Sequence, residues 1–151
     1  MGHLALKSST LAFCILAGFG TVATAQETVP ETAQTAGPAI AMELSAAEDL
    51  DAQCKLSFVV TNGHKNDVEQ AVYETVLFDA AGQVARLTLL DFQDLPAGRP
   101  RVRQFQFPQA CADISRVLIN GAQTCSAPAL PNGACSQGLS LTSRVKVELL
   151  G

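Results

Sequence analysis

Residues 54–61 read Cys54-Lys55-Leu56-Ser57-Phe58-Val59-Val60-Thr61, and apolar side chains alternate along them with polar ones except at Val59. Successive side chains of a β-strand point to opposite faces, so a period of two predicts a strand with one face in a core and the other toward solvent. The segment therefore indicates both the type of secondary structure and the face that packs inward.

Similar segments follow at short intervals and are separated by turn-forming residues. The ranges 41–45, 72–78, 84–92, 102–107, 114–120 and 144–149 are rich in apolar and β-branched residues. The turns 79–82 and 95–98 join three of them into a predicted meander. Single helical turns are predicted at 46–52 and 109–113. About seven short strands predict an all-β fold, an immunoglobulin-like antiparallel β-sandwich.

The first 25 residues have the layout of a cleavable signal peptide. Lys7 precedes an apolar run from Leu11 to Val22, and Ala23-Thr24-Ala25 provides the small-x-small cleavage pattern. The run is about 12 residues long, short of the roughly 20 needed to span a membrane, so no stable span is expected after cleavage. The predicted location is periplasmic.

The rest of the chain divides into a tail and one domain. Residues 26–40 are mostly Thr, Ala, Gln, Glu, Pro and Gly, which predicts a disordered linker because such a segment buries little apolar surface. Residues 41–151 form the predicted sandwich domain. Nine basic and 14 acidic residues remain after Ala25, a net charge near −5. This balance argues against a nucleic-acid partner, which requires a concentrated basic face.

Four cysteines remain once Cys14 is removed with the signal peptide: Cys54, Cys111, Cys125 and Cys135. An even number in an oxidising compartment predicts two disulfides. Three connectivities are possible. The Pro/Gly/Asn-rich segment between Cys125 and Cys135 favours pairing these two, which leaves Cys54 with Cys111. A zinc site would need close Cys-x-x-Cys pairs, and the sequence has none, so neither a metal nor another cofactor is expected.

Three arginines at a spacing of two, Arg99, Arg101 and Arg103, form the sharpest local feature. An extended backbone projects all three to one side, where they would bind a carboxylate or phosphate group of an anionic ligand or a protein partner. The alternative is cross-strand charge pairing, with Asp94 near Arg99 or Asp91 near Arg103. Both interpretations remain open at this point.

A catalytic reading has little support in the sequence. After the signal peptide one histidine remains, His64, in the polar connection 62–67, and no Gly-x-Ser-x-Gly motif is present. We expect His64 to be an exposed loop residue, and a hydrolase or metal site centred on it is the less favoured alternative.

Two segments carry a resemblance to known families. The stretch from Val76 to Val84, followed by Leu95-Pro96-Ala97-Gly98, resembles FxLYD-type immunoglobulin-like domains of bacterial envelope proteins. The longer stretch from Glu74 to Phe105, with Val117–Ala122 and the four cysteines, resembles small exported bacterial proteins commonly labelled "Tat pathway signal" proteins. The resemblance implies a periplasmic location and no known activity. The chain lacks the twin arginines of that label, which favours the general secretory route.

Together these features predict an exported, non-catalytic binding or envelope-accessory module for a protein partner or an anionic ligand. The first alternative is an assembly role, in which a sheet edge at 101–107 or 144–149 accepts a strand from another chain.

Overall fold

The alternation at 54–61 produces strand β2, Gln53–Asn62, in the computed structural model, which describes residues 39–151 of the chain. The side chains of Cys54, Leu56, Phe58 and Val60 are fully buried. Lys55 and Val59, which alternate with them, are only half-buried. The predicted inward face of this strand is therefore confirmed.

Eight strands and one 3₁₀ turn make up the described chain. They are β1 (Ile40–Leu50), β2, β3 (Val68–Phe78), β4 (Val84–Leu95), β5 (Pro100–Phe107), the 3₁₀ turn Cys111–Asp113, β6 (Arg116–Ser126), β7 (Ser140–Ser143) and β8 (Glu148–Leu150). The first sheet has the order β5-β2-β1-β7, and the second has the order β4-β3-β6-β8. No helix in residues 39–151 is long and apolar enough to cross a membrane.

The predicted all-β sandwich with two disulfides is confirmed, but eight strands replace about seven and the sheets are not purely antiparallel. β7 pairs parallel to β1, and β8 pairs parallel to β6. The predicted strand 144–149 is wrong over most of its length, because residues 144–147 form a bend between β7 and β8 and only 148–149 belong to a strand. Ser143 Oγ accepts from Val145 N–H at 3.3 Å and donates to Val147 O at 2.6 Å, and the chain beyond this bend joins the second sheet.

The predicted meander is wrong, because β5 pairs with β2 in the first sheet rather than with β4. The segment Leu95–Gly98 carries the chain from one sheet to the other. Leu95 is fully buried, and Gly98 N–H donates to Asn62 O at 2.8 Å. Gly98 has φ 66°, a conformation that glycine adopts without strain. A turn that looks like a hairpin in the sequence is thus a crossing between sheets.

Of the two predicted helical turns, one is wrong and the other lies within two residues of an observed turn. Residues 46–50 continue β1 and pair with β2 up to Leu50↔Gln53, after a bulge between Leu44 and Ala46. The hairpin then closes through Asp51, whose φ of 51° is tolerated by a short polar side chain. The turn predicted at 109–113 is observed as the 3₁₀ turn Cys111–Asp113.

The core is built around four aromatic rings, two from each sheet. Phe58 and Phe105 of the first sheet meet Phe92 and Tyr73 of the second in edge-to-face contacts, with ring centroids 5.1–5.9 Å apart. Such aromatic pairs contribute about 1 kcal/mol each beyond their buried area. Phe78, at the end of β3, lies outside this group and is only half-buried.

The two disulfides are Cys54–Cys111 and Cys125–Cys135, as the favoured connectivity predicts. The first links β2 to the 3₁₀ turn, and the second closes the loop that follows β6. Structural disulfides of this kind persist in oxidising compartments, so they indicate such an environment for the folded chain.

The predicted signal peptide and most of the linker lie outside the described residues. The boundary with the domain differs by one residue, because Ile40, assigned to the linker, is the first residue of β1 and is fully buried.

Removing the longer bridge is expected to destabilise the domain more than removing the shorter one. The Cys54–Cys111 pair spans 57 residues and Cys125–Cys135 spans 10, so a chain-entropy model gives losses of about 4 and about 3 kcal/mol. Denaturant unfolding of the two Cys→Ala double variants measures both values. Mass spectrometry of the non-reduced protein is expected to find none of these four thiols free; detection of free thiols would contradict the pairing.

Candidate functional site

The arginine segment lies at one side of the sandwich, where β5 edges the first sheet and β4 edges the second. Arg101 Nη2 lies 3.3 Å from Asp94 Oδ2, and Arg103 Nη2 lies 3.2 Å from Asp94 Oδ1. Arg103 also donates from Nε to Phe92 O at 2.6 Å and from Nη2 to Asp94 O at 3.0 Å. One arginine of β5 therefore binds both a carboxylate and two main-chain carbonyl groups of β4.

The expected cross-strand registers do not occur, although charge pairing does. Asp94 pairs with Arg101 and Arg103 rather than with Arg99, because β4 and β5 belong to different sheets and do not form a hairpin. Arg103 points inward, as Phe105 and Phe107 do, but it lies at the rim of the sandwich. Pro100 begins this edge strand, where its missing N–H costs no ladder bond.

These contacts divide the three arginines by role. Arg103 has a side chain only 16% exposed and is occupied by β4, so it joins the two sheet edges; we call this group the Arg103 clasp, formed by Arg103, Phe92 and Asp94. Within the described residues, Arg99 has no ion-pair partner. An anion-binding role stays a prediction, and it falls on Arg99 and Arg101.

Replacing Arg103 is expected to destabilise the fold, whereas replacing its neighbours is not. Arg103→Gln removes charged hydrogen bonds to two carbonyl groups in a half-buried site, a loss of about 2 kcal/mol. Arg101→Gln removes one exposed ion pair, worth less than about 1 kcal/mol, and Arg99→Gln is the matched control. Denaturant unfolding compares the three variants, and an equal loss in all three would contradict the clasp.

His64 is not the exposed loop residue that the sequence predicts. Its ring is largely buried, with Nε2 3.0 Å from Ala134 O, and its backbone N–H donates to Asn62 Oδ1 at 2.9 Å. A carbonyl group accepts only, so Nε2 carries the proton in this contact. The burial arises because the loop closed by Cys125–Cys135 folds over the 62–67 connection.

The described surroundings of His64 add no support to the hypothesis of a metal or hydrolase site there. Among residues 39–151, no group of three His, Cys, Asp or Glu side chains could hold a metal ion. The acidic side chains nearby have other contacts: Asp67 Oδ1 accepts from Ala97 N–H at 2.8 Å, and Glu69 Oε2 accepts from Ser126 Oγ at 2.9 Å. The contacts of His64 in the part of the chain that the structure describes are thus structural ones, to Ala134 O and Asn62 Oδ1.

Tyr73 ties the same loop to the core. Its hydroxyl group donates to Cys135 O at 2.7 Å, and its ring is fully buried. Burial raises the pKa of the Tyr73 phenol well above its usual value, because ionisation would place a charge in an apolar surrounding. The folded state therefore keeps the proton at alkaline pH.

Tyr73 is expected to make the protein sensitive to high pH. This group makes no contribution to the pH dependence of the free energy of unfolding below the unfolded pKa of about 10. Above that pH the free energy of unfolding falls, because only the unfolded chain releases the proton. Tyr73→Phe is expected to cost about 1 kcal/mol at neutral pH and to reduce the alkaline decrease. Denaturant unfolding between pH 7 and pH 11 measures both effects; an unchanged alkaline slope would contradict the assignment.

The outer face of the second sheet carries a row of apolar residues that crosses all four strands. Strand register places Leu87 of β4 beside Val76 of β3, Val76 beside Leu118 of β6, and Leu118 beside Leu150 of β8. Side chains of paired residues lie on the same face of a sheet. These four residues, which we call the outer apolar row, are opposite to the core-facing Leu77, Val117 and Leu149.

The outer apolar row is exposed to solvent at its two ends, and further exposed apolar residues lie next to it along β4. Leu87 is 59% exposed and Leu150 is 41% exposed, while Leu89 and Val84 of β4 are 53% and 63% exposed. Phe78 of β3 pairs with Val84 of β4. The guanidinium carbon of Arg116 lies 4.9 Å from the centroid of the Phe78 ring. Exposed apolar side chains therefore stand at both ends of the row, on either side of Leu118, which is half-buried, and Val76, which is only 7% exposed.

The outer face of the first sheet differs in chemistry. It carries the ion pairs Arg144–Glu43 and Lys55–Glu48, each at 2.8 Å. The other two ion pairs in the described chain belong to Asp94, so none lies on the outer face of the second sheet. This contrast is not visible in the sequence, because the consecutive leucines 89 and 90 hide the alternation and only the register of four strands aligns the row.

The fold is similar to that of IrmA from Escherichia coli, with a TM-score of 0.53 over 69% of this chain and 91% of that chain. The two sequences are 13% identical, so the likeness concerns the sandwich architecture alone. The sequence matches no protein-family model and no curated protein.

Proposed function

We propose that this chain is an exported, periplasmic, non-catalytic binding module that recognises a protein partner through the outer apolar row. The observation that carries the proposal is the alignment of Leu87, Val76, Leu118 and Leu150 across four strands on the outer face of the second sheet, with Leu87 and Leu150 exposed at its ends and Val76 only 7% exposed between them. Solvent exposure of such a row is unfavourable for an isolated domain, and burial against a partner removes about 25 cal/mol per Å² of apolar surface from water.

The periplasmic location is supported by two independent features. The first 25 residues have the signal-peptide layout, and two disulfides indicate an oxidising compartment. The family resemblance to small exported proteins agrees with this location. The immunoglobulin-like description of the sandwich stays a prediction.

A protein partner fits the surface better than a small ligand. The row is a flat sheet face with a charged rim, where Arg116 and Glu148 occupy paired positions on β6 and β8. Apolar centres with polar rims are typical of protein interfaces, whereas small ligands bind in concave sites.

The arginine hypothesis is a separate candidate, and the Arg103 clasp changes how it must be tested. A triple replacement of Arg99, Arg101 and Arg103 would also remove the bonds to Phe92 and Asp94. The informative variant is Arg99→Gln/Arg101→Gln, which leaves the clasp in place.

Loss of the outer apolar row is expected to abolish partner recognition without unfolding the domain. A photo-reactive residue at Leu150 captures the partner in the periplasm, mass spectrometry identifies it, and the purified partner is titrated against variants. Each of Leu87→Ser and Leu150→Ser is expected to weaken binding about tenfold, the effect of losing one central contact. Val102→Ser is the matched control, because Val102 is 59% exposed on the first sheet.

Equal binding by all three variants would show that the partner uses another surface. If Arg99→Gln/Arg101→Gln alone weakened the titration, the anion-binding alternative would replace the present proposal.

A further inference from the structure

β4 is an edge strand whose free side is protected only in part. It pairs with β3, and no other described strand pairs with it. Near its end, the Arg103 clasp occupies the carbonyl groups of Phe92 and Asp94. Before that point no strand or side chain of residues 39–151 covers the edge in this way, and an uncovered edge exposes main-chain donors and acceptors to another strand.

The uncovered edge contains one regular segment with defined ends. Register with β3 is continuous from Arg86 to Asp91 and shifts on both sides, between Leu77 and Phe78 of β3 at one end and between Ala71 and Val72 at the other. A β-bulge disrupts pairing, so a strand added to this edge is confined to the regular segment. The segment holds one charged residue other than Asp91, namely Arg86, and no proline.

The geometry of this segment suits a second copy of the same chain. Side chains of residues that pair across an antiparallel ladder lie on the same face of the sheet. Because successive side chains alternate between faces, two residues of the regular segment that pair across a two-fold axis must both have odd numbers or both have even numbers. A register symmetric about Thr88 satisfies this condition and uses Arg86–Leu90 in full. It pairs Leu87 of each copy with Leu89 of the other on the outer face.

The positions of the charged residues and the exposure of both faces of the edge favour the same register. Arg86 lies opposite Leu90 of the second copy, about 14 Å along the strand from the other Arg86, so the two guanidinium groups stay apart. A register centred on Arg86 would place them face to face. Arg86 and Leu87 project to opposite faces and are both exposed, so neither face of the edge is covered at this point.

We propose that two copies of this chain associate by antiparallel pairing of Arg86–Leu90 of β4 about a two-fold axis at Thr88. The paired edge is only about 17 Å long, which is short for the roughly 800 Å² per partner that stable complexes bury. The dimer is therefore weak and reversible.

Pairing of this kind extends the surface described above. A two-fold axis perpendicular to the sheet keeps both outer faces on one side, so two outer apolar rows join into one across eight strands. This consequence rests on the proposed function, whereas the pairing itself does not. A partner with two contact sites would bind the dimer more tightly than the monomer.

A cysteine trap detects such a weak dimer in the full chain. Residues paired across an antiparallel ladder have Cα atoms about 4.5–5.5 Å apart, within the range that a disulfide bridges. Thr88→Cys is expected to give a covalent dimer on mild oxidation, with the linkage mapped by mass spectrometry. Val102→Cys, on the edge strand of the other sheet, is the matched control and is expected to give about tenfold less.

The register is tested by Leu87→Cys, which faces Leu89 of the second copy and is expected to link poorly to itself. Equal linking by Thr88→Cys and Val102→Cys, or efficient linking at Leu87 without linking at Thr88, overturns the proposal. The unmodified chain provides a second measurement, because sedimentation up to about 1 mM is expected to show an average mass that rises with concentration. A monomer throughout overturns the proposal as well.

Thr88→Lys separates this proposal from the proposed function. It places two like charges at the axis on the face opposite to the outer apolar row, so it is expected to abolish the rise in mass and to retain contact with the partner captured at Leu150. A dimer that binds no partner contradicts the proposed function alone. A partner bound by a chain that never dimerises contradicts the dimer alone.

Discussion

The contact between the two sheets through four aromatic rings is the constraint on which the described domain depends. Phe58 and Phe105 come from the first sheet, and Tyr73 and Phe92 come from the second. No tryptophan is present to fill the centre of the sandwich, so edge-to-face packing of smaller rings takes that place. The positions of β2, β3, β4 and β5 follow from it, because each strand contributes one ring.

Three further devices close the sandwich around this centre. The Cys54–Cys111 bridge fixes the 3₁₀ turn to β2, and the Cys125–Cys135 loop lies over His64 and accepts the Tyr73 hydroxyl group. The Arg103 clasp joins the free edges of β4 and β5. A feature that looks like a binding site in the sequence, three arginines on one side of a strand, is in part a device that holds two sheets together.

The same edge explains why a surface for association remains. The clasp covers the end of β4 but not Arg86–Leu90, and the outer apolar row begins at Leu87 in that uncovered part. The ion pairs of Glu43 and Glu48 keep the outer face of the first sheet polar. The two outer faces therefore differ in chemistry: one carries two ion pairs, and the other carries the outer apolar row.

Much of the fold and little of the candidate site was readable in the sequence. Alternation identified β2 and its buried face, and the spacing of Cys125 and Cys135 favoured the observed disulfides, because these signals are local. The 144–149 strand, the 46–52 turn and the exposure of His64 were predicted wrongly, because each depends on a distant segment: the bend at Ser143, the pairing with β2, and the loop over the ring.

The sequence by itself determined that the described chain is a disulfide-linked β-sandwich. The alternation of side chains is a property of short segments, and the number of cysteines is a property of the composition. Only the tertiary structure decided which edge each strand occupies, that Arg103 binds β4, and that Leu87, Val76, Leu118 and Leu150 form one row. The reason is physical: strand register and sheet membership are set by hydrogen bonds between residues far apart in the chain, and no local pattern encodes them.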